Sequence, residues 1–376
     1  MCFMKVQRIQ QQNYSLLKTT PKTSLYNSNI NFEALALNKK AVSSKKNYSL
    51  ILKMGAMATA AAMSVKELFF NKVLDVSTVN QIKQNAIHFG EGVAESIYLN
   101  DGKFNQQEIE QLVLTHLKEE DAKNLQVATD EDGFCDFAEQ YMKLDREYAK
   151  SVFEKAEGLV AQSASGKMMF LLKLEDKEPE IAAHIAAHEF EHLLYKTSGF
   201  VGKLIKKYLA DQSKQQSMEA SLEPAAEGLN KKFFKLQNGL VGLIIGTGAI
   251  TSPFEYVEQE PTLEGILELS PEVSSKEELD MRLERYIKRE FLQSETDDSN
   301  MAELQGFEMV LRDEARAYEA GGKSQKYYNK LSGKNVGKTT MAEMVAVIYN
   351  QMADKIHECK NQWMKNSLKK SMGLKD

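Results

Sequence analysis

The segment EIAAHIAAHEFEHLLYKTSG, residues 180–199, constrains the fold more than any other stretch of the chain. It carries three of the six histidines, His184, His188 and His192, at intervals of four. A helix turns about 100° per residue, so each step of four rotates a side chain by only about 40° and the three imidazoles form one stripe. The rest of the segment is rich in Ala, Ile, Leu and Phe, the composition of a helix covered by neighbours on most sides. The stripe, with Glu189 and Glu191, must then find polar partners inside the protein. The apolar run MMFLLKL at 168–174 precedes it and has the length of a strand, and EDKEPE at 175–180 is a charged loop. Pro179 suits the first turn of the helix, the acids beside it complement its positive end, and Ser198-Gly199 suits its stop.

His188-Glu189-Phe190-Glu191-His192 has the form HExxH, the pattern of zinc metallopeptidases. Imidazoles one helical turn apart can both reach one tetrahedral zinc, while the glutamate after the first faces the water that completes the site. A catalytic zinc needs a third protein ligand, and the only later histidine is His357. The search therefore turns to a carboxylate. In DSNMAELQGFEMVLRDEARAYEAGG at 298–322, Leu304, Phe307, Leu311 and Tyr318 follow helical spacing, and Glu314 fills the gap in that apolar series. A core-facing carboxylate needs a metal or a cation, which makes Glu314 the expected third ligand, with Glu308 and Glu319 as alternatives on neighbouring faces.

The pairing of His188–His192 with Glu314-Ala-Arg-Ala-Tyr318 resembles the gluzincins, zincin-like metallopeptidases in which a second helix carries Glu-x-x-Ala-Asp and its glutamate ligates zinc. The chain departs from that pattern in having Tyr318 at the aspartate position and in separating the two helices by about 120 residues. The resemblance implies a zinc-dependent peptidase in which His188, His192 and Glu314 hold the metal and Glu189 moves the proton. Tyr318, one turn beyond Glu314, is the first candidate for steadying the oxyanion; His184 and Arg316 follow.

Composition bounds the other readings. With 43% hydrophobic residues, 27% charged residues and 6 prolines among 376 residues, the chain is globular and long enough for two or three domains. Cys2, Cys135 and Cys359 are too scattered for a disulfide framework or a thiolate zinc site. Residues 1–60 hold nine Lys/Arg against one acid, residues 321–376 eleven against four, and the middle carries an excess of twenty acids. No zinc finger or aromatic-interleaved basic motif accompanies the basic ends, so the expected partner is a peptide or protein substrate and not nucleic acid. The first twenty residues lack the apolar core of a secretory signal, which makes the cytoplasm the expected compartment, with export by another route left open. The apolar runs 50–63 and 239–250 are too short to span a bilayer, though peripheral membrane contact stays open.

Two segments upstream resemble EF-hand calcium loops: IYLNDGKFNQQE at 97–108 and ATDEDGFCDFAE at 128–139. Each has glycine at the sixth position (Gly102, Gly133) and glutamate at the twelfth (Glu108, Glu139), but Ile97 and Ala128 stand where the first oxygen ligand belongs. The pair is read as a degenerate helix–loop–helix module, with weak Ca²⁺ binding open for 128–139 through Asp130, Asp132 and Asp136. SGKNVGKTT at 332–340 lacks the glycine spacing of a P-loop. The expected architecture is a predominantly helical α+β chain: a basic extension over 1–50, a helical EF-hand-like module over 51–155, and a zincin-like metallopeptidase domain over 156–376, crossed by a connection at 237–273. Two non-enzymatic alternatives are an inactive zincin-like scaffold and a calcium-responsive interaction protein.

Overall fold

The computed structural model describes residues 76–142, 144–163, 167–198, 253–270, 273–291 and 298–371. The expected basic extension, the start of the helical module and the first part of the 237–273 connection, including its apolar run, lie outside the described residues. In chain order the elements are α1 (Val76–Leu99), α2 (Gln106–Thr115), α3 (Glu119–Ala122), β1 (Leu125–Ala128), α4 (Glu131–Phe137), a π-helical turn (Ala138–Met142), α5 (Arg146–Lys155), β2 (Gly158–Gln162), β3 (Met168–Leu172) and α6 (Pro179–Thr197). Then follow β4 (Tyr256–Val257), α7 (Leu263–Leu269), α8 (Lys276–Phe291), α9 (Asp298–Leu331), β5 (Thr339–Thr340) and α10 (Met341–Ser371). The result is a mostly helical α+β arrangement. Among the described residues no helix is long and apolar enough to cross a membrane.

The larger sheet has the order β1-β3-β2, with β1 parallel and β2 antiparallel to β3. All five residues of β3 are buried because both of its faces are covered. Phe170 and Leu172 pack with α1 and α6, where Phe89 stacks on Phe190 at 3.9 Å; Met169 and Leu171 pack with Phe134, Phe137 and Tyr148 on the other side. A third cluster joins α7, α8, α9 and α10. The four alanines of α6 (182, 183, 186, 187) let α1 and α9 approach it closely. Gly90 on α1 shows how closely: a Cβ there would stand 2.5 Å from Ala187 Cβ and 2.1 Å from Ser324 Oγ.

Local signals place the helices of the third cluster. Ser275 Oγ accepts from Glu278 N and Ser274 N donates to Glu278 Oε2, a capping-box pairing at the start of α8. Thr340 and Glu343 cap α10 in the same reciprocal way, so the P-loop-like stretch is a turn at Gly333 (φ 68°), the short strand β5 and a helix cap. Met341, Met344, Ile348 and Met352 are buried, as the α10 periodicity predicts.

The two EF-hand-like segments take different forms. Segment 97–108 begins inside α1, with Ile97 in the core, and turns at Asp101 and Gly102 (φ 55° and 79°) into α2; Glu108 accepts from Ser96 Oγ and Asn100 Nδ2. Segment 128–139 is the end of β1 followed by a helix. Asp130 caps α4 by accepting from Gly133 N at 2.7 Å, and Phe134, Cys135 and Phe137 bind the helix to the sheet, so packing favours helix over an open cation loop. Asp132 and Asp136, two of the three aspartates expected to offer oxygens to Ca²⁺, pair with Arg146 at 2.6 and 2.8 Å, and Glu139 of the twelfth position joins them at 3.0 Å. Pairing of β1 with β3 also carries one sheet across residue 155, where the sequence reading divides the chain.

Candidate metal centre

Helices α6 and α9 pack along their middles and bring three side chains together. His192 Nε2 is 3.3 Å from His188 Nε2, while Glu314 places Oε2 3.7 Å from His188 Nε2 and Oε1 3.8 Å from His192 Nε2. Donor atoms bound about 2.0–2.1 Å from one tetrahedral zinc stand about 3.3 Å apart. The three groups could hold one metal ion, and that spacing is close to what zinc requires. Glu314 Oε2 is buried and has no hydrogen-bond partner among the described residues, which is costly for a carboxylate oxygen.

Electrostatics point the same way. Glu189, Glu191, Asp313 and Glu314 share this interior with Lys196, Arg316 and the ring of His192, so four acids face two permanent bases and one imidazole. Burial raises the Glu314 carboxyl to about 7, with Asp313 and Glu189 adding to the rise and His192 opposing it. Burial works against the His192 imidazolium, but Asp313 and Glu314 outweigh it and lift the ring to about 10. His188, buried and facing His192, is pushed well below its ordinary value. The interior draws positive charge to the position between the rings, and a divalent ion with neutral imidazoles would balance it.

Glu189 is buried, and its side chain lies on Gly158 of β2. Burial raises its carboxyl, and the nearby His192 and Lys196 oppose that rise. Lys196, one turn beyond His192, donates to Val160 O at 2.8 Å and so ties α6 to the free side of β2.

No family model, characterised protein or solved structure matches this chain. Its functional reading therefore rests on the sequence pattern and the geometry of the site.

The other expected participants take different positions around the three groups. Tyr318 is 2% exposed and packs directly on a candidate ligand, its ring edge-on to His188 at 4.7 Å and to Tyr349 at 5.8 Å. His184 lies one turn before His188, its ring stacked on the His188 ring at 6.1 Å and edge-on to Phe254 at 4.9 Å, and burial lowers it to about 4, opposed by its contact with Gln325. Arg316 binds Glu191 and Asp313. Glu308 is held by Lys360 and His357, and Glu319 by Lys83 and Lys323, so both alternative carboxylates already have cations. Sequence reasoning missed Asp313, which meets His192 Nδ1 at 2.9 Å. The sequence carries no face-sharing signal for it, because the residue before Glu314 stands about 100° away around α9.

Proposed function

We propose that this chain is a zinc-dependent peptidase of zincin-like type. The observation that carries the reading is the convergence of His188 Nε2, His192 Nε2 and a Glu314 carboxylate oxygen from two helices to separations of 3.3–3.8 Å. His188, His192 and Glu314 would hold the ion, which when bound supplies Lewis acidity toward a water and a peptide carbonyl. Glu189 accepts the proton of the attacking water and returns it to the leaving amine, which breaks the C–N bond and yields a carboxylate and a free amine. Gly158, which lacks a side chain, leaves room for the buried Glu189 side chain against β2. The peptide or protein substrate class follows from this chemistry.

Incubating the full chain, loaded with zinc, with a mixed peptide library tests the reading. The expected result is cleavage by the parent protein and its loss in E189Q with zinc retained. Zinc binding with no cleavage by the parent would instead support a scaffold that keeps the metal.

A further inference from the structure

The contacts around His192 reach past the three ligand groups, and their interpretation rests on the zinc reading. His192 turns Nε2 toward His188 and Glu314 and Nδ1 toward Asp313, 2.9 Å from Oδ2. An imidazole that ligates through Nε2 carries its proton on Nδ1, and an acceptor at Nδ1 fixes both that tautomer and the plane of the ring. Asp313 is this acceptor. Its other oxygen accepts from Arg316 Nη2 at 2.8 Å, and Arg316 Nε donates to Glu191 Oε1 at 2.5 Å. The guanidinium also lies 4.5 Å over the Tyr195 ring. Glu191, Arg316, Asp313 and His192 thus form a chain of contacts that leaves α6, passes through α9 and returns to α6.

Burial makes this chain rigid. Glu191 is wholly buried and the Arg316 side chain is 11% exposed, so rotating the guanidinium away would strand a buried carboxylate. The other histidine is treated differently: His188 Nδ1 has no hydrogen-bond partner among the described residues, and its ring is packed by Tyr318. Tyr318 stands at the aspartate position of the resembling motif. In this chain the carboxylate that meets a ligand histidine comes instead from the residue before Glu314.

We propose that Asp313, clamped by Arg316 and Glu191, is the positioning residue that fixes His192 as an Nε2 metal ligand, and that Glu191 serves this clamp and takes no part in the chemistry.

Zinc affinity of the full chain, measured by competition with a chromophoric chelator, tests this together with the visible spectrum of the Co²⁺-loaded protein. D313N is expected to weaken zinc by about 10- to 100-fold and to change the cobalt spectrum, with D313E restoring part of the affinity. R316K, which keeps Asp313 but loses the fork to Glu191, is expected to weaken zinc less than D313N does. A role confined to joining α6 and α9 would lower the melting temperature of the metal-free protein and leave the cobalt spectrum of D313N unchanged, and that result overturns the proposal. If D313N does not fold, R316K decides, and parental zinc affinity in folded R316K also overturns it. Failure of the parent protein to bind zinc is a different result, because it removes the underlying metal reading.

Discussion

Gly158 on β2 lies so close to Glu189 on α6 that a Cβ on the glycine would stand 2.4 Å from the Glu189 Cγ. The strand therefore acts as a wall for the proposed proton-carrying side chain. Gly158 pairs with Leu172 inside the sheet, so the wall has little freedom to retreat. The expected outcome of G158A is a shifted Glu189 and a loss of peptide hydrolysis of about 10²-fold, the scale on which misplacement of about 1 Å acts. Zinc affinity should stay near the parental value, because Glu189 is not a ligand. Overpacking should also cost about 1–3 kcal/mol of stability. Steady-state kinetics, zinc titration and denaturant unfolding of the variant check the three parts.

Tyr318 separates a packing role from a chemical one. Its ring fills the space between His188 and Tyr349 with 2% of its surface exposed. Y318F, which keeps the ring, should stay well short of the loss of about 10²–10³ in kcat that follows removal of an oxyanion donor. Y318A should lose about 3–5 kcal/mol of stability, the range for truncating a buried aromatic, and should weaken zinc by releasing the His188 ring. Kinetics of the first variant and unfolding of the second are the measurements.

How much of this was legible in the sequence depends on the length over which a signal repeats. Helix α6 is readable because its histidine stripe, its alanines and Pro179 agree over 19 residues. Glu314 is readable as the one acid in an otherwise apolar series, and α10 from its buried methionines. Strand β1 is not, because four residues show no period and its partner β3 lies about 40 residues away. Segment 128–139 misleads for a physical reason: the acids that suit a cation loop equally suit a helix start and the guanidinium of Arg146. Asp313 carries no signal in the sequence, and Arg316 reads only as a minor oxyanion candidate, until α6 is laid beside α9. Only the fold shows that their partners are His192 and Glu191.

The metal centre itself is tested most directly by zinc content and affinity of the purified full chain, compared with E314Q and with H188Q/H192Q. The account predicts one zinc per chain in the parent protein, a large loss of affinity in E314Q, and none retained in the double variant. Equal zinc affinity in the parent and E314Q, or a parent that binds no more zinc than H188Q/H192Q, would contradict it.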